Sequence, residues 1–173
     1  MDIPSLATDR LTLRGHRIED YDECVALWGD AVVTRYIGGR PFTAEEVWAR
    51  VLRYVGHWAL LGFGYWVVRE RATGRLVGEV GFADFHRDIV PSFEGRPEAG
   101  WVLAPWAHGK GCATEAVGAV LAWGDAHLKS DRTVCLIDPD NLASIRVAEK
   151  VGYRELARTT YKGDPSIVFE RQR

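Results

Sequence analysis

A mixed α/β fold, one sheet with helices on its faces, is predicted by three observations on the 173-residue chain. Segments alternating apolar and polar residues, as half-buried strands do, are interleaved with segments of helical period in the order β-α-α-β-β-β-α-β-α-β-β. The early strands include a hairpin joined by a short turn, whereas two later ones flank a helix in the pattern of a parallel βαβ crossover. No repeat, low-complexity tract or linker interrupts the chain, so residues 1–173 are expected to form a single domain.

Composition sets the class. Hydrophobic residues make up 47% and charged residues 27%, a soluble globular balance. A formal net charge of −2 and a pI near 6.2 argue against a nucleic-acid partner held by a basic face. No apolar run approaches the roughly 20 residues needed to span a bilayer, and the first residues lack a secretory pattern. Cys24, Cys112 and Cys135 are odd in number, distant and without a CxxC pair, which suits reduced thiols rather than disulfides or zinc. A cytoplasmic protein with no membrane partner and no metal is expected.

The elements follow in order. Arg10–Arg14 alternates as a strand, and Ile18, Tyr21, Val25 and Trp28 recur at helical spacing. After the loop at Gly38–Pro41, Thr43 and Glu46 form a capping box. The helix it opens should place Val47, Val51, Leu52 and Val55 on one face and end between Gly56 and Gly62. Residues 64–69 and 76–82 read as a hairpin about the turn at 72–75, and His86–Arg96 as a polar loop. Pro97–Leu103 is a strand, and Ala113 opens a helix whose apolar residues are Ala116, Val117, Val120, Leu121 and Leu128. Thr133–Ile137 is a strand, and Leu142–Val151 a helix closed by Gly152. Short strands are expected at Tyr153 and at Ser166–Phe169.

The chemistry gathers where Trp101–Leu103 feeds a turn with glycines at 109 and 111 and then a helix. The glycines let backbone approach a ligand, and the helix presents unbonded, partly positive N–H groups, which together make a phosphate cradle. A Walker loop is excluded, because no hydroxyl residue follows Lys110 and the earlier glycine is missing. A dinucleotide fingerprint fits at Gly109 and Gly111 but has Thr114 in the third place, and it lies past the middle of the chain. The pyrophosphate of coenzyme A is the third reading.

His108-Gly-Lys-Gly-Cys-Ala-Thr-Glu-Ala116 resembles the acetyl-CoA loop of GNAT N-acetyltransferases, in particular the branch acting on ribosomal-protein N-terminal alanine and serine. Thr8–Arg14, Trp28-Gly-Asp30, Arg35–Gly38, Leu76–Gly81, Glu98–Trp101 and Asn141–Tyr153 resemble further motifs of that branch, in order and correctly spaced. The resemblance implies a mostly antiparallel central sheet of six to seven strands flanked by about four helices, and transfer of acetyl from acetyl-CoA to a primary amine. It implies that backbone N–H groups near Val102 and Leu103 bind the thioester oxygen. The amides of His108, Gly109, Lys110, Gly111, Cys112 and Ala113, with Thr114 in the helix start, would hold the pyrophosphate. Asn141 would meet the pantetheine or the acceptor, and Ser144 would protonate the departing sulfur. For the base that takes the amine's proton, Glu98 is the first candidate, with Glu79 and His86 behind it.

The chain also departs from the family pattern. Trp106 stands where a Gln or Arg often contacts phosphate, and Ala148 where many relatives carry a tyrosine acid. Thr159 and Thr160 stand beside Tyr161, where relatives acting on ribosomal proteins place a carboxylate. The acceptor is left open between a protein N-terminus and a small-molecule amine, with the slightly acidic charge balance leaning toward a cationic one. A monomer or homodimer is compatible with the family. The competing function is a non-catalytic acyl-CoA-binding sensor that kept the cradle and lost the base.

Overall fold

A computed structural model describes residues 3–173. Eight strands form one sheet: β1 (Leu6–Ala7), β2 (Leu11–Arg14), β3 (Tyr65–Glu70), β4 (Leu76–Ala83), β5 (Glu98–Leu103), β6 (Arg132–Ile137), β7 (Arg154–Tyr161) and β8 (Asp164–Gln172). Their spatial order is β1-β2-β3-β4-β5-β6-β8-β7, and every neighbouring pair is antiparallel except β5 and β6. The helices are α1 (Tyr21–Trp28), α2 (Ala31–Thr34), α3 (Ala44–Leu61), α4 (Cys112–His127) and α5 (Leu142–Lys150). The parallel crossover expected late in the chain is β5-α4-β6. Among the described residues no helix is long and apolar enough to cross a membrane.

Local rules explain the helix ends. Thr43 accepts the Glu46 N–H at 3.2 Å while the Glu46 carboxylate accepts the Thr43 N–H at 2.8 Å, and Gly62 closes α3 at φ +74°. The buried stripe of α3 is Val47, Val51, Tyr54, His57 and Trp58, at spacings of three and four. Leu52, expected on that face, is instead 51% exposed, because it lies one position off the stripe. Ile18 is likewise exposed, since it precedes the helix in a 3₁₀ turn. On α4, Ala116, Val117, Val120 and Leu121 are buried as expected.

Two aliphatic layers sandwich the sheet. On one face α4 packs on Leu11, Leu13, Val80 and Phe82, next to a trio of tryptophans, Trp58, Trp66 and Trp123, whose rings meet edge to face at 4.7–5.4 Å. On the other, α1, α2 and α3 cover Val67, Leu76 and Val102. Each fully buried valine or leucine here contributes about 1.5–3 kcal/mol. Asp20 ties the second layer to the sheet: its buried carboxylate accepts from Arg14 (2.7 Å, twice), Arg69 (2.6 Å) and the Arg17 N–H (2.8 Å).

The strand count exceeds the expected six to seven by an edge strand, β1, which is two residues long. At the other edge the count is as expected but the length is not: β7 and β8 make one long hairpin, where only short strands at Tyr153 and Ser166–Phe169 were expected. No residue of β7 is buried, so its sequence carries no apolar alternation. Tyr153 lies just before β7, fully buried, with its hydroxyl 2.7 Å from that of Thr133. The extra helix α2 is a single turn capped by the Asp30 side chain on the Val32 N–H.

Candidate active site

The site begins with a split in the sheet. β5 pairs with β4 along its whole length, but with β6 only at Glu98 opposite Val134, where the Val134 N–H reaches the Pro97 carbonyl at 3.1 Å. Beyond that rung the two strands part. The Ala104 N–H bonds to the Val77 carbonyl on β4, and the period of two along a strand turns the Val102 N–H the same way. Leu103 therefore points its N–H into the gap as expected, while Val102 does not. Trp101 is the second donor there, and the Val102 side chain packs instead beneath α1 and α3.

Past Leu103 a 3₁₀ turn (Pro105–Ala107) leads to the glycine loop. Gly109 (φ +70°) and Gly111 (φ +79°) both adopt the left-handed conformation, and Gly111 is the N-cap of α4. Among the described residues no protein group accepts from the N–H groups of Gly109 through Thr114. That leaves an open run of donors at a helix N-terminus. The loop is braced from below: Arg10 bonds the Lys110 carbonyl at 2.9 Å and pairs with Glu115 of α4 at 2.6 Å. His108 is engaged elsewhere, its Nε2 donating to the Leu103 carbonyl at 2.8 Å and its backbone N–H to Pro105. Trp106 donates to the Leu76 carbonyl and presents its ring to Arg75 (4.2 Å) and Lys110 (5.1 Å), so two cations flank the loop on an aromatic platform. Arg75 had no signal in the sequence.

A cleft of about 630 Å³ opens over the α1–α3 face of the split, between α3 and the β7–β8 hairpin. Glu98, Gly100 and Val102 lie along it from β5, and Asn141 and Ser144 at the start of α5 form one wall. The Asn141 carbonyl oxygen caps the Ser144 N–H at 3.1 Å, which leaves the Asn141 amide N–H₂ and the Ser144 hydroxyl without partners among the described residues. Any side chain at residue 100 would overlap the Tyr65 hydroxyl, so Gly100 is what admits that ring. Tyr65 in turn stacks on Tyr54 at 4.3 Å. Burial pushes both phenols up. Ala148, by contrast, is buried in the core and touches no part of the cleft.

Of the three base candidates the cleft includes only Glu98. Its carboxylate is bound by Arg87 through two bonds, at 2.6 and 2.8 Å. Burial works against the charge on Arg87, but the Glu98 bonds outweigh it and raise its pKa. Glu79 is completely buried behind the cleft, accepting from His16 (2.8 Å), Trp28 Nε1 (2.7 Å) and the Cys24 thiol (3.3 Å). Burial pushes its carboxyl up, and these three donors outweigh burial and hold it below the usual range. His16, Cys24 and Glu79 converge closely enough to ligate a metal, but their hydrogen bonds to one another and to Trp28 already account for the cluster. His86 is 90% exposed and lies outside the cleft.

Several lining residues came without warning from the sequence: Arg50, Arg53, Tyr54, Tyr65 and Arg87. They come from α3, β3 and a loop, so no local motif joins them. The spacing of Arg50, Arg53 and Tyr54 on α3 was the one available hint. Of the tryptophans, Trp28 and Trp101 line the cleft, whereas Trp58 and Trp66 belong to the core. Of the loops, residues 35–42 contribute Arg35 to Gly39 and Phe42, and His86–Arg96 contributes Arg87 alone.

Comparison with known proteins agrees with this geometry. A family model described as an acetyltransferase (GNAT) domain matches residues 10–154. The chain is 28% identical to the uncharacterized N-acetyltransferase p20 of Bacillus licheniformis, over 87% of this chain and 83% of p20. The structure of a GNAT-family acetyltransferase from Bordetella pertussis superposes with a TM-score of 0.86 at 32% identity, covering 97% of this chain and 99% of that one. Spermidine N-acetyltransferase of Vibrio cholerae, solved with CoA and spermine, shares the fold at a TM-score of 0.72 and 19% identity over 94% of each chain. With its one parallel junction, split strands and glycine loop, the chain belongs to the GNAT family of N-acetyltransferases.

Proposed function

We propose that this protein transfers the acetyl group of acetyl-CoA to a primary amine, on a protein N-terminus or a small molecule, by direct attack in a ternary complex. The observation that carries the reading is the continuity of the split: the unbonded loop donors from Gly109 to Thr114 stand at one end and the open cleft at the other. Bound acetyl-CoA would supply an activated acyl group. The loop amides and the α4 N-terminus hold its pyrophosphate, with Lys110 and Arg75 alongside. The N–H groups of Leu103 and Trp101 stabilise the negative charge that develops on the carbonyl oxygen. Asn141 orients the pantetheine through its free amide, and the Ser144 hydroxyl donates a proton to the departing sulfur.

Glu98 is assigned the amine's proton. Because Arg87 occupies both of its oxygens, that proton travels through water or on opening of the ion pair. A covalent acetyl-enzyme is disfavoured by the cysteines: all three are buried, and burial pushes the Cys24 and Cys135 thiols far up.

The test is CoA release from acetyl-CoA with a panel of amines and of peptides beginning in Ser, Ala and Thr, beside intact mass after acetyl-CoA alone. Release with at least one amine and an unmodified protein mass are expected. An acetylated protein mass would overturn direct attack. No release with any amine, despite tight acetyl-CoA binding, would favour the sensor, for which the closed Glu98–Arg87 pair is the supporting observation.

A further inference from the structure

The charge of the cleft differs from that of the molecule. Formal net charge is −2, yet the cleft is lined by five cations against three carboxylates, Glu98, Asp138 and Asp164, and Arg87 already binds Glu98 while Arg50 and Arg53 on the α3 wall form no ion pair among the described residues. Arg50 lies over the Trp28 ring at 3.8 Å and the Phe42 ring at 4.8 Å, donating to the Tyr54 hydroxyl at 3.2 Å. Its Nε is buried without any partner among the described residues. Arg53 and Arg87 share the Phe85 ring, at 4.9 and 4.8 Å. Burial and the neighbouring Arg50 both lower the pKa of Arg53, and no carboxylate is among the groups acting on it. Guanidinium groups shelved on aromatic rings and short of acceptors are suited to binding an oxyanion through paired N–H bonds. They are not CoA phosphate ligands by position: they gather near Glu98, while the glycine loop lies past Leu103, about 17 Å along the strand at roughly 3.4 Å per residue.

We propose that the acceptor is an amine that also carries a carboxylate, which Arg50 and Arg53 hold on the α3 wall while its amino group reaches the split. This rests on the acetyltransferase reading and narrows its substrate to amino acids or peptides with a free acid. It turns away from the cationic acceptor that the bulk charge suggests. Polyamines would meet the unpaired arginines as like charges.

The experiment uses the whole protein saturated with CoA, so that binding is read without turnover. Calorimetry compares δ-aminovalerate with its amide, with the corresponding aminoalkyl phosphate and with cadaverine. It also compares the dipeptide Ala-Gly with its C-terminal amide. The acids are expected to bind at least tenfold more tightly than their amides, the span of a charge-assisted bond. Arg53→Gln is expected to bring that ratio near one, and Arg50→Lys, which keeps charge but loses the fork, to reduce it partly. Thermal melts confirm that the variants fold. Equal binding of acid and amide, tighter binding of cadaverine, or a ratio unchanged in both variants overturns the inference. A preference for the phosphate overturns the carboxylate assignment. If CoA itself fails to bind, the acetyl-CoA reading falls and this inference with it, whereas a cationic preference sinks the inference alone.

Discussion

The two ends of the split are built from different materials. At the end proposed for the cofactor the available groups are backbone: the N–H groups of the glycine loop, of the first turn of α4, and of Leu103 and Trp101. At the end proposed for the acceptor they are side chains: Arg50, Arg53 and Tyr54 from one stretch of α3, Tyr65 from β3, Arg87 from a loop and Glu98 from β5. A backbone site demands a conformation, which glycines and a helix start write into contiguous residues. A side-chain site demands only that distant residues meet after folding. One protein can therefore keep the first while altering the second.

That contrast can be broken at either end. The largest effect is expected from Gly111→Val, since a β-branched residue at φ +79° is strained and its Cβ would stand 3.4 Å from Arg10. Acetyl-CoA affinity measured by calorimetry should fall on the order of a hundredfold. Retained affinity would mean that the loop does not hold the cofactor. Next is Gly100→Ala, whose methyl group displaces the Tyr65 ring and the Tyr54 stack. Thermal melting should show a loss of about 1–3 kcal/mol. Amine kcat/KM should drop while acetyl-CoA affinity holds, so equal losses at both ends would dissolve the distinction between them. Ser144→Ala is smaller, on the order of tenfold in kcat with KM for acetyl-CoA little changed, as fits loss of a proton donor that solvent partly replaces. A fall in acetyl-CoA affinity instead would make Ser144 a binding group.

The smallest effect at neutral pH belongs to neither end. Burial opposes the Asp20 charge, but Arg14 and Arg69 outweigh burial and hold the carboxyl far below its ordinary 3.8. A depressed carboxyl stabilises the fold fully above the unfolded value and loses that contribution as pH falls below it. Melting temperature should therefore change little on account of Asp20 from pH 7 down to about 5, then fall steeply through pH 4 and below. A protein equally stable at pH 3 and pH 6 would show that the clamp contributes nothing.

The same contrast explains what could be read from the sequence. The glycine loop, the Asn141 cap with Ser144 one turn on, the Thr43–Glu46 capping box and the βαβ crossover are all local, and all were legible. Arg87 was not, because its meaning lies in Glu98, eleven residues away on a strand. The engagement of His108 with Leu103, and of Glu79 with His16, Cys24 and Trp28, depends on tertiary packing. The Val102 donor was misplaced by one residue because strand parity is set by pairing with β4. The β7–β8 hairpin was underread because an exposed edge strand carries no apolar rhythm.

The lone Glu98–Val134 rung has a mechanical consequence. It divides the sheet into two plates, five strands before the seam and three after it, joined along the strand direction almost entirely by what crosses it. Among the described residues α4 and the Arg96–Glu170 ion pair at 2.9 Å bridge the seam. A ligand lying in the split supplies contacts that the missing rungs cannot, so its binding energy becomes cohesion between plates. Acetyl-CoA is thus expected to raise the melting temperature and slow amide exchange on both sides of the seam at once. The cofactor would then act as a temporary strand, and the empty protein would be a sheet one strand short.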